Sequence, residues 1–133
     1  MSKISYKVNQ ALKTEDIIEV YRSSGILRPI EDTQRIEKMY KNSNLIISAW
    51  AEEKLVGVSR SLTDFHYACY LSDLAVHMDF QKHGIGKELI RLTKEKIGDQ
   101  TMLLLLSAPM AMEYYPKVGF QTVINGFIIK RKK

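Results

Sequence analysis

Leu71-Ser72-Asp73-Leu74-Ala75-Val76-His77-Met78-Asp79-Phe80-Gln81-Lys82-His83-Gly84-Ile85-Gly86 is the stretch on which the fold turns. Leu71 to Val76 is mostly apolar, as in a strand covered on both faces. A short turn follows, then a loop with two glycines that opens a helix at about Ile85. Gly84 and Gly86 permit backbone conformations closed to residues with a Cβ and let a ligand approach the main chain. The first helical turn carries unpaired N–H groups and the positive end of the helix dipole. Strand, glycine loop and helix start together make a phosphate cradle suited to the pyrophosphate of a nucleotide-like cofactor.

The loop is not the dinucleotide fingerprint Gly-x-Gly-x-x-Gly, because Leu89 stands at the third glycine's place. It is not a P-loop, since no Gly-Lys-Ser/Thr follows at the required spacing. Lys82, Lys87, Arg91, Lys94 and Lys96 surround it, and the chain carries a formal net charge of +5. Such a distribution suits a ligand with several phosphates, and it would suit an RNA backbone nearly as well.

Outward from this stretch, 133 residues predict one domain with a core sufficient without disulfides or metals. No apolar run approaches the length of a membrane span, and Met1 to Ser5 lacks a signal-like apolar region. One cysteine, Cys69, suits a reducing cytoplasm and a core position. Three scattered histidines and that cysteine lack the spacing of a metal site. The expected elements are an edge strand over Ser5–Gln10, a helix capped by Thr14 and closed by Gly25, and a helix over Asp32–Lys41. Strands at Leu45–Ala51 and Leu55–Leu62 form a hairpin, and the central strand runs from Ala68 to His77. The helix from Ile85 ends at Gly98, and Thr101–Leu106 is another buried strand. A helix from Pro109 should stop at Tyr115, because Pro116 disfavours helical geometry before it. Phe120–Ile124 and Phe127–Lys130 flank Asn125-Gly126, a strong hairpin signal. This order predicts an α/β fold with a mixed sheet and helices on both faces.

Gln81-x-x-Gly84-x-Gly86, preceded by Leu74-Ala75-Val76, closely resembles the acyl-CoA-binding motif of the GNAT superfamily of N-acetyltransferases. Ala111-x-x-Tyr114-Tyr115-x-x-x-Gly119-Phe120 resembles that family's second signature, in which a tyrosine sits near the thioester sulfur. The resemblance covers about Asn44 to Lys130. It implies a mostly antiparallel sheet splayed at the central strand, and acetyl-CoA as co-substrate without a metal. It further implies that Leu74, Ala75 and Val76 offer main-chain groups to the pantetheine arm. Gln81, Lys82, His83, Gly84, Ile85, Gly86 and Lys87 would hold the pyrophosphate, and a main-chain N–H near Leu74 would meet the oxyanion. Tyr115 would protonate the CoA thiolate, with Tyr114 the competing choice. Asp73, Glu113, His66 and His77 are candidate bases, Asp73 sharing the central strand. In the family the loop between the first two helices borders the acceptor site; here it holds Tyr21, Ile26, Leu27 and Arg28.

Two departures stand out. Ala108 occupies a place where many members carry asparagine, and Pro116 replaces a more usual polar residue. The implied activity is transfer of an acetyl group to a primary amine by direct attack, the acceptor a small molecule or a peptide. A non-catalytic acyl-CoA-binding module and a basic nucleic-acid-binding domain are the alternatives. No RNA-binding aromatic motif or helix-turn-helix supports the last of these. An exposed edge on the C-terminal hairpin would allow pairing across a homodimer.

Overall fold

A computed structural model describes residues 3–133. Alternating apolar residues set the sheet. β1 (Ile4–Val8), β2 (Leu45–Ala51), β3 (Lys54–Thr63), β4 (Ala68–Val76) and β5 (Met102–Leu104) lie side by side in chain order. The first four are antiparallel neighbours, and β5 joins β4 in parallel. On β2, Leu45, Ile47, Ala49 and Ala51 turn to the face covered by α3 (Ile85–Ile97). α1 (Thr14–Ser24) and α2 (Thr33–Lys41) cover the other face through Ile17, Val20, Tyr21 and Ile36, packed on Leu55, Val58 and Ala75. Gly57 is what lets α3 come so near. A Cβ there would stand 3.2 Å from Ile85 Cγ2 and 3.4 Å from Leu89 Cδ1.

Two features of β4 open the sheet. Arg60 opposes Asp73 and Ser61 opposes Leu71, so Ser72 is an extra residue, a bulge that bends the strand. β5 then pairs only with Ala68 to Tyr70, leaving Leu71 to Val76 with no neighbouring strand on that side. This is the expected splay.

Local chemistry moved several boundaries. β1 ends at Val8, because Asn9 turns into the left-handed region with φ 54°. Lys13, not Thr14, is the N-cap of α1, and its carbonyl accepts from Asp16 and Ile17. Asp32 caps α2 by accepting from the Arg35 N–H at 3.1 Å. The expected helix from Pro109 divides into a 3-10 turn at Pro109–Ala111 and α4 (Tyr114–Lys117). Pro116 therefore does not stop a helix at Tyr115; it lies in the first turn of α4, where no N–H donor is needed.

The C-terminal hairpin is not formed. Residues 120–133 enter no ladder, and neither Asn125 nor Gly126 has the positive φ that a type I′ turn requires at both places. A two-stranded hairpin is marginal by itself in water. Its apolar side chains find no face within the chain, and Ile124, Phe127 and Ile129 are 98–99% exposed.

Candidate active site

The site gathers at the splay, from β4, the glycine loop, the α1–α2 loop and α4. The His77 N–H donates to the Val56 carbonyl at 2.8 Å. By the alternation of an antiparallel ladder, Ala75 then turns its main-chain groups to β3, and Leu74 and Val76 turn theirs to the open side. Side chains meet two carbonyls on that open side. Gln81 Nε2 donates to the Val76 carbonyl at 2.9 Å, and Arg28 Nη2 to the Ser72 carbonyl at 2.7 Å. Between these caps lies Leu74.

A tight 3-10 turn, Met78–Phe80, carries the chain from β4 to the glycine loop. Ser23 Oγ on α1 accepts from the Met78 N–H, and His77 Nδ1 accepts from the Asp79 N–H at 3.2 Å. That bond leaves the proton of the His77 ring on Nε2, 4.0 Å from Glu19 Oε1. Lys82 and Gly84 then adopt left-handed conformations, φ 67° and 80°. Among the described residues, no acceptor takes the main-chain N–H of Lys82, His83, Gly84, Ile85, Gly86 or Lys87. Successive unpaired N–H groups at a helix start form an anion-binding concavity. Lys82, His83 and Lys87 are exposed around it. Arg91 is not part of this free charge: it is paired with Glu88 at 2.7 Å and Glu95 at 3.2 Å. Gly86 makes room for Tyr114, since a Cβ there would lie 3.0 Å from the Tyr114 hydroxyl oxygen.

Tyr114 and Tyr115 therefore part company. Tyr114 lies over Gly86 at the start of α3. Tyr115 packs edge-on against Phe120, with ring centroids 5.5 Å apart, and against Tyr114 at 5.2 Å. Its carbonyl accepts from the Val118 and Phe120 N–H groups, which closes the turn at Gly119, φ 104°. Burial, reinforced by Tyr114 and opposed by Arg28, pushes the Tyr115 phenol above its ordinary value. Tyr115 is thus a protonated phenol that feels the Arg28 guanidinium.

Asp73, a candidate base from the sequence, has another occupation. Its carboxylate is fully buried and accepts from Arg28 Nε at 2.6 Å, Arg60 Nε at 2.8 Å, the Tyr21 hydroxyl at 2.6 Å and Ser72 Oγ at 3.1 Å. Burial pushes its pKa up, but hydrogen bonds and charge from Arg60, with Tyr21 and Arg28, outweigh that and hold it below the usual carboxylate range. A carboxylate so held is a poor proton acceptor. Tyr21 is not a lining residue of the acceptor loop: it is buried, and its hydroxyl also meets that of Tyr40 at 2.5 Å. The sequence did not signal this cluster, because Arg28, Arg60 and Asp73 lie far apart in the chain. What Asp73 does is anchor Arg28, and with it the α1–α2 loop, to the splayed strand.

The other candidate bases are dispersed. His66 is exposed in the β3–β4 turn, and Glu113 is exposed at the N-cap of α4. Cys69 is buried in the core, and burial pushes its thiol up.

Residues 15–129 match the family model described as "Acetyltransferase (GNAT) domain". The chain belongs to this GNAT acetyltransferase family. It is 30% identical over 119 residues to the uncharacterized N-acetyltransferase ycf52 of Pyropia yezoensis, covering 84% of this chain and 67% of that protein. In fold it is similar to a GNAT-family acetyltransferase of Streptococcus pneumoniae TIGR4, with a TM-score of 0.77 and 22% identity over 98% of this chain and 100% of that one. It is also similar to AAC(6')-Iy solved with a bisubstrate analogue, CoA-S-monomethyl-acetylneamine, with a TM-score of 0.74 and 13% identity over 99% and 100% of the two chains.

Proposed function

We propose that this chain transfers an acetyl group from acetyl-CoA to a primary amine by direct attack of the amine on the thioester. The observation that carries this reading is the run of unpaired N–H groups from Lys82 to Lys87, set beside the open edge of β4. An extended, amide-bearing arm can add to such an edge as a further strand would. A pyrophosphate can then sit at the start of α3 with Lys82, His83 and Lys87 around it. The complex of AAC(6')-Iy with a CoA-linked analogue supports the same choice of donor.

Acetyl-CoA supplies a thioester carbon as electrophile. The chain's residues supply position and charge stabilisation, which carry most of the catalysis in such a reaction. Leu74 and Val76 hold the arm, and the Leu74 N–H donates to the oxygen that gains charge. The amine nitrogen bonds to the carbonyl carbon and the C–S bond breaks. Tyr115 gives its hydroxyl proton to the departing sulfur, and the ammonium proton of the acceptor leaves to solvent water. Asp73 holds no proton in this scheme; it fixes Arg28 at the mouth of the splay.

The test is release of free CoA thiol on mixing acetyl-CoA with a panel of amines: small amines, amino-sugars, peptide N-termini and lysine peptides. The proposal expects amine-dependent thiol release that Tyr115→Phe lowers by about 10²–10⁴-fold, the usual range for a general acid. Binding of acetyl-CoA with no turnover on any acceptor would favour a sensing module instead.

A further inference from the structure

Two guanidinium groups, those of Arg28 and Arg60, meet on the single buried carboxylate of Asp73, so the cluster carries one positive charge more than it neutralises. Arg60 does not present that charge to a ligand. Its Nε, Nη1 and Nη2 donate to Asp73, Ser43 Oγ and Ser72 Oγ, and its side chain is only 9% exposed. Arg28 is the member that reaches the surface, at 27%, and among the described residues no carboxylate but Asp73 pairs with it. Its Nε donates to Asp73, its Nη1 to the Leu27 carbonyl and its Nη2 to the Ser72 carbonyl. Each Nη of a guanidinium carries two N–H groups, so one on each is left without a protein acceptor. A pair of N–H groups on one planar fork is what a carboxylate takes bidentately.

Position makes this fork part of the reaction site. The Ser72 carbonyl that holds Arg28 lies on the same open side of β4 as Leu74, two residues on, a step of about 7 Å along a strand. The Tyr115 phenol feels the same guanidinium. An amine poised at a thioester beside Leu74 therefore has a fixed cation within reach of its far end. An acceptor that is cationic throughout is repelled there, whereas one that bears a carboxylate is drawn in. Asp73 and Ser72 have already ordered the Arg28 side chain, so little rotamer freedom remains to be lost on binding.

We propose that the acceptor is a small amine that also carries a carboxylate, an amino acid in the broad sense, and that Arg28 selects it by taking the carboxylate on its free Nη hydrogens. The inference rests on the acetyl transfer proposed above and names the acceptor class of that same site.

The test is thiol release from acetyl-CoA with matched pairs of amines: glycine, β-alanine, longer ω-amino acids and several α-amino acids, each beside its carboxamide. Rates are divided by the fraction of free amine, which removes the difference in basicity between acid and amide. At least one acid should exceed its amide in kcat/KM by about 10-fold or more, the scale of a hydrogen bond to a charged group. Arg28→Gln should erase that ratio, and Arg28→Lys, which keeps the charge without the fork, should restore part of it. A loop merely disordered by the substitution lowers acid and amide together and leaves the ratio standing. Amides used as well as their acids in every pair overturn the proposal on the wild type alone, whether or not the variants fold. A ratio that survives Arg28→Gln overturns it too. Turnover of amino-sugars or lysine peptides but of none of the acids sinks this inference and upholds acetyl transfer. Thiol release with no amine of any kind sinks both.

Discussion

Replacing Asp73 with asparagine separates an anchor from a base. The side chain is fully buried and receives four hydrogen bonds, two of them from the guanidinium groups of Arg28 and Arg60. Asparagine keeps the shape but removes the charge, and turns an N–H₂ toward a guanidinium N–H, since Arg28 donates to one oxygen and Arg60 to the other. Breaking a buried ion pair by removing one partner costs about 3–5 kcal/mol. Arg28 is partly exposed and recovers some hydration, so the lower end, about 3 kcal/mol, is the figure expected here. For a chain of this size that lowers Tm by roughly 10 °C. The pH dependence gives a second check. The Asp73 pKa is depressed in the folded state, so its stabilisation is fully present above the unfolded value near 3.9 and is lost as pH falls through the folded value. The gap between wild type and Asp73→Asn, measured by urea unfolding, should be widest near neutrality and close in strong acid. A variant within about 1 kcal/mol of wild type at pH 7, but with kcat reduced, would refute the anchor and restore Asp73 as the base.

Gly86→Ala places a Cβ 3.0 Å from the Tyr114 hydroxyl, the far end of a side chain that can shift. Stability should change by less than about 1 kcal/mol, since alanine favours the helix, while calorimetry should show weaker binding of CoA as Tyr114 is displaced toward the loop. Because the Tyr115 phenol is raised above 10, it stays protonated across the working range. Any alkaline fall in kcat caused by its ionisation should have its midpoint above the ordinary phenol value and be absent in Tyr115→Phe. Asp64 accepts from the N–H groups of His66, Tyr67 and Ala68 at 2.8–3.1 Å, and these bonds lower its pKa to about 2. The turn it caps should stay ordered down to that pH, read from its carboxyl chemical shift; a midpoint near 4 would show that the cap does not form in solution.

The central elements were legible because each wrote its own local signature. Leu45–Ala51 alternates and Ile85–Ile97 repeats at helical spacing, and both were placed to the residue. Gly25 and Gly98 closed their helices where expected, both with positive φ. Gly84 and Gly86 marked the loop in which the N–H groups from Lys82 to Lys87 lie unpaired, and Gly86 also makes room for Tyr114. Two things were hidden. The Asp73 cluster depends on Arg60 across a bulge and Arg28 across a loop, and no short-range pattern records either. The hairpin at Asn125-Gly126 failed for the opposite reason: a strong local turn signal means little where no sheet receives the strands. Pro116 misled similarly, because its effect depends on which turn of a helix it occupies.

The most direct test of the account is titration of acetyl-CoA into the purified chain while unfolding is followed by temperature. At 100 times its Kd, a ligand held by the Lys82–Lys87 amides and the open edge of β4 stabilises by about 2.7 kcal/mol. For this chain that is a rise in Tm of several degrees, one that Gly86→Ala diminishes. An unchanged Tm at millimolar acetyl-CoA would contradict the cradle, and with it the acetyl transfer proposed for this site.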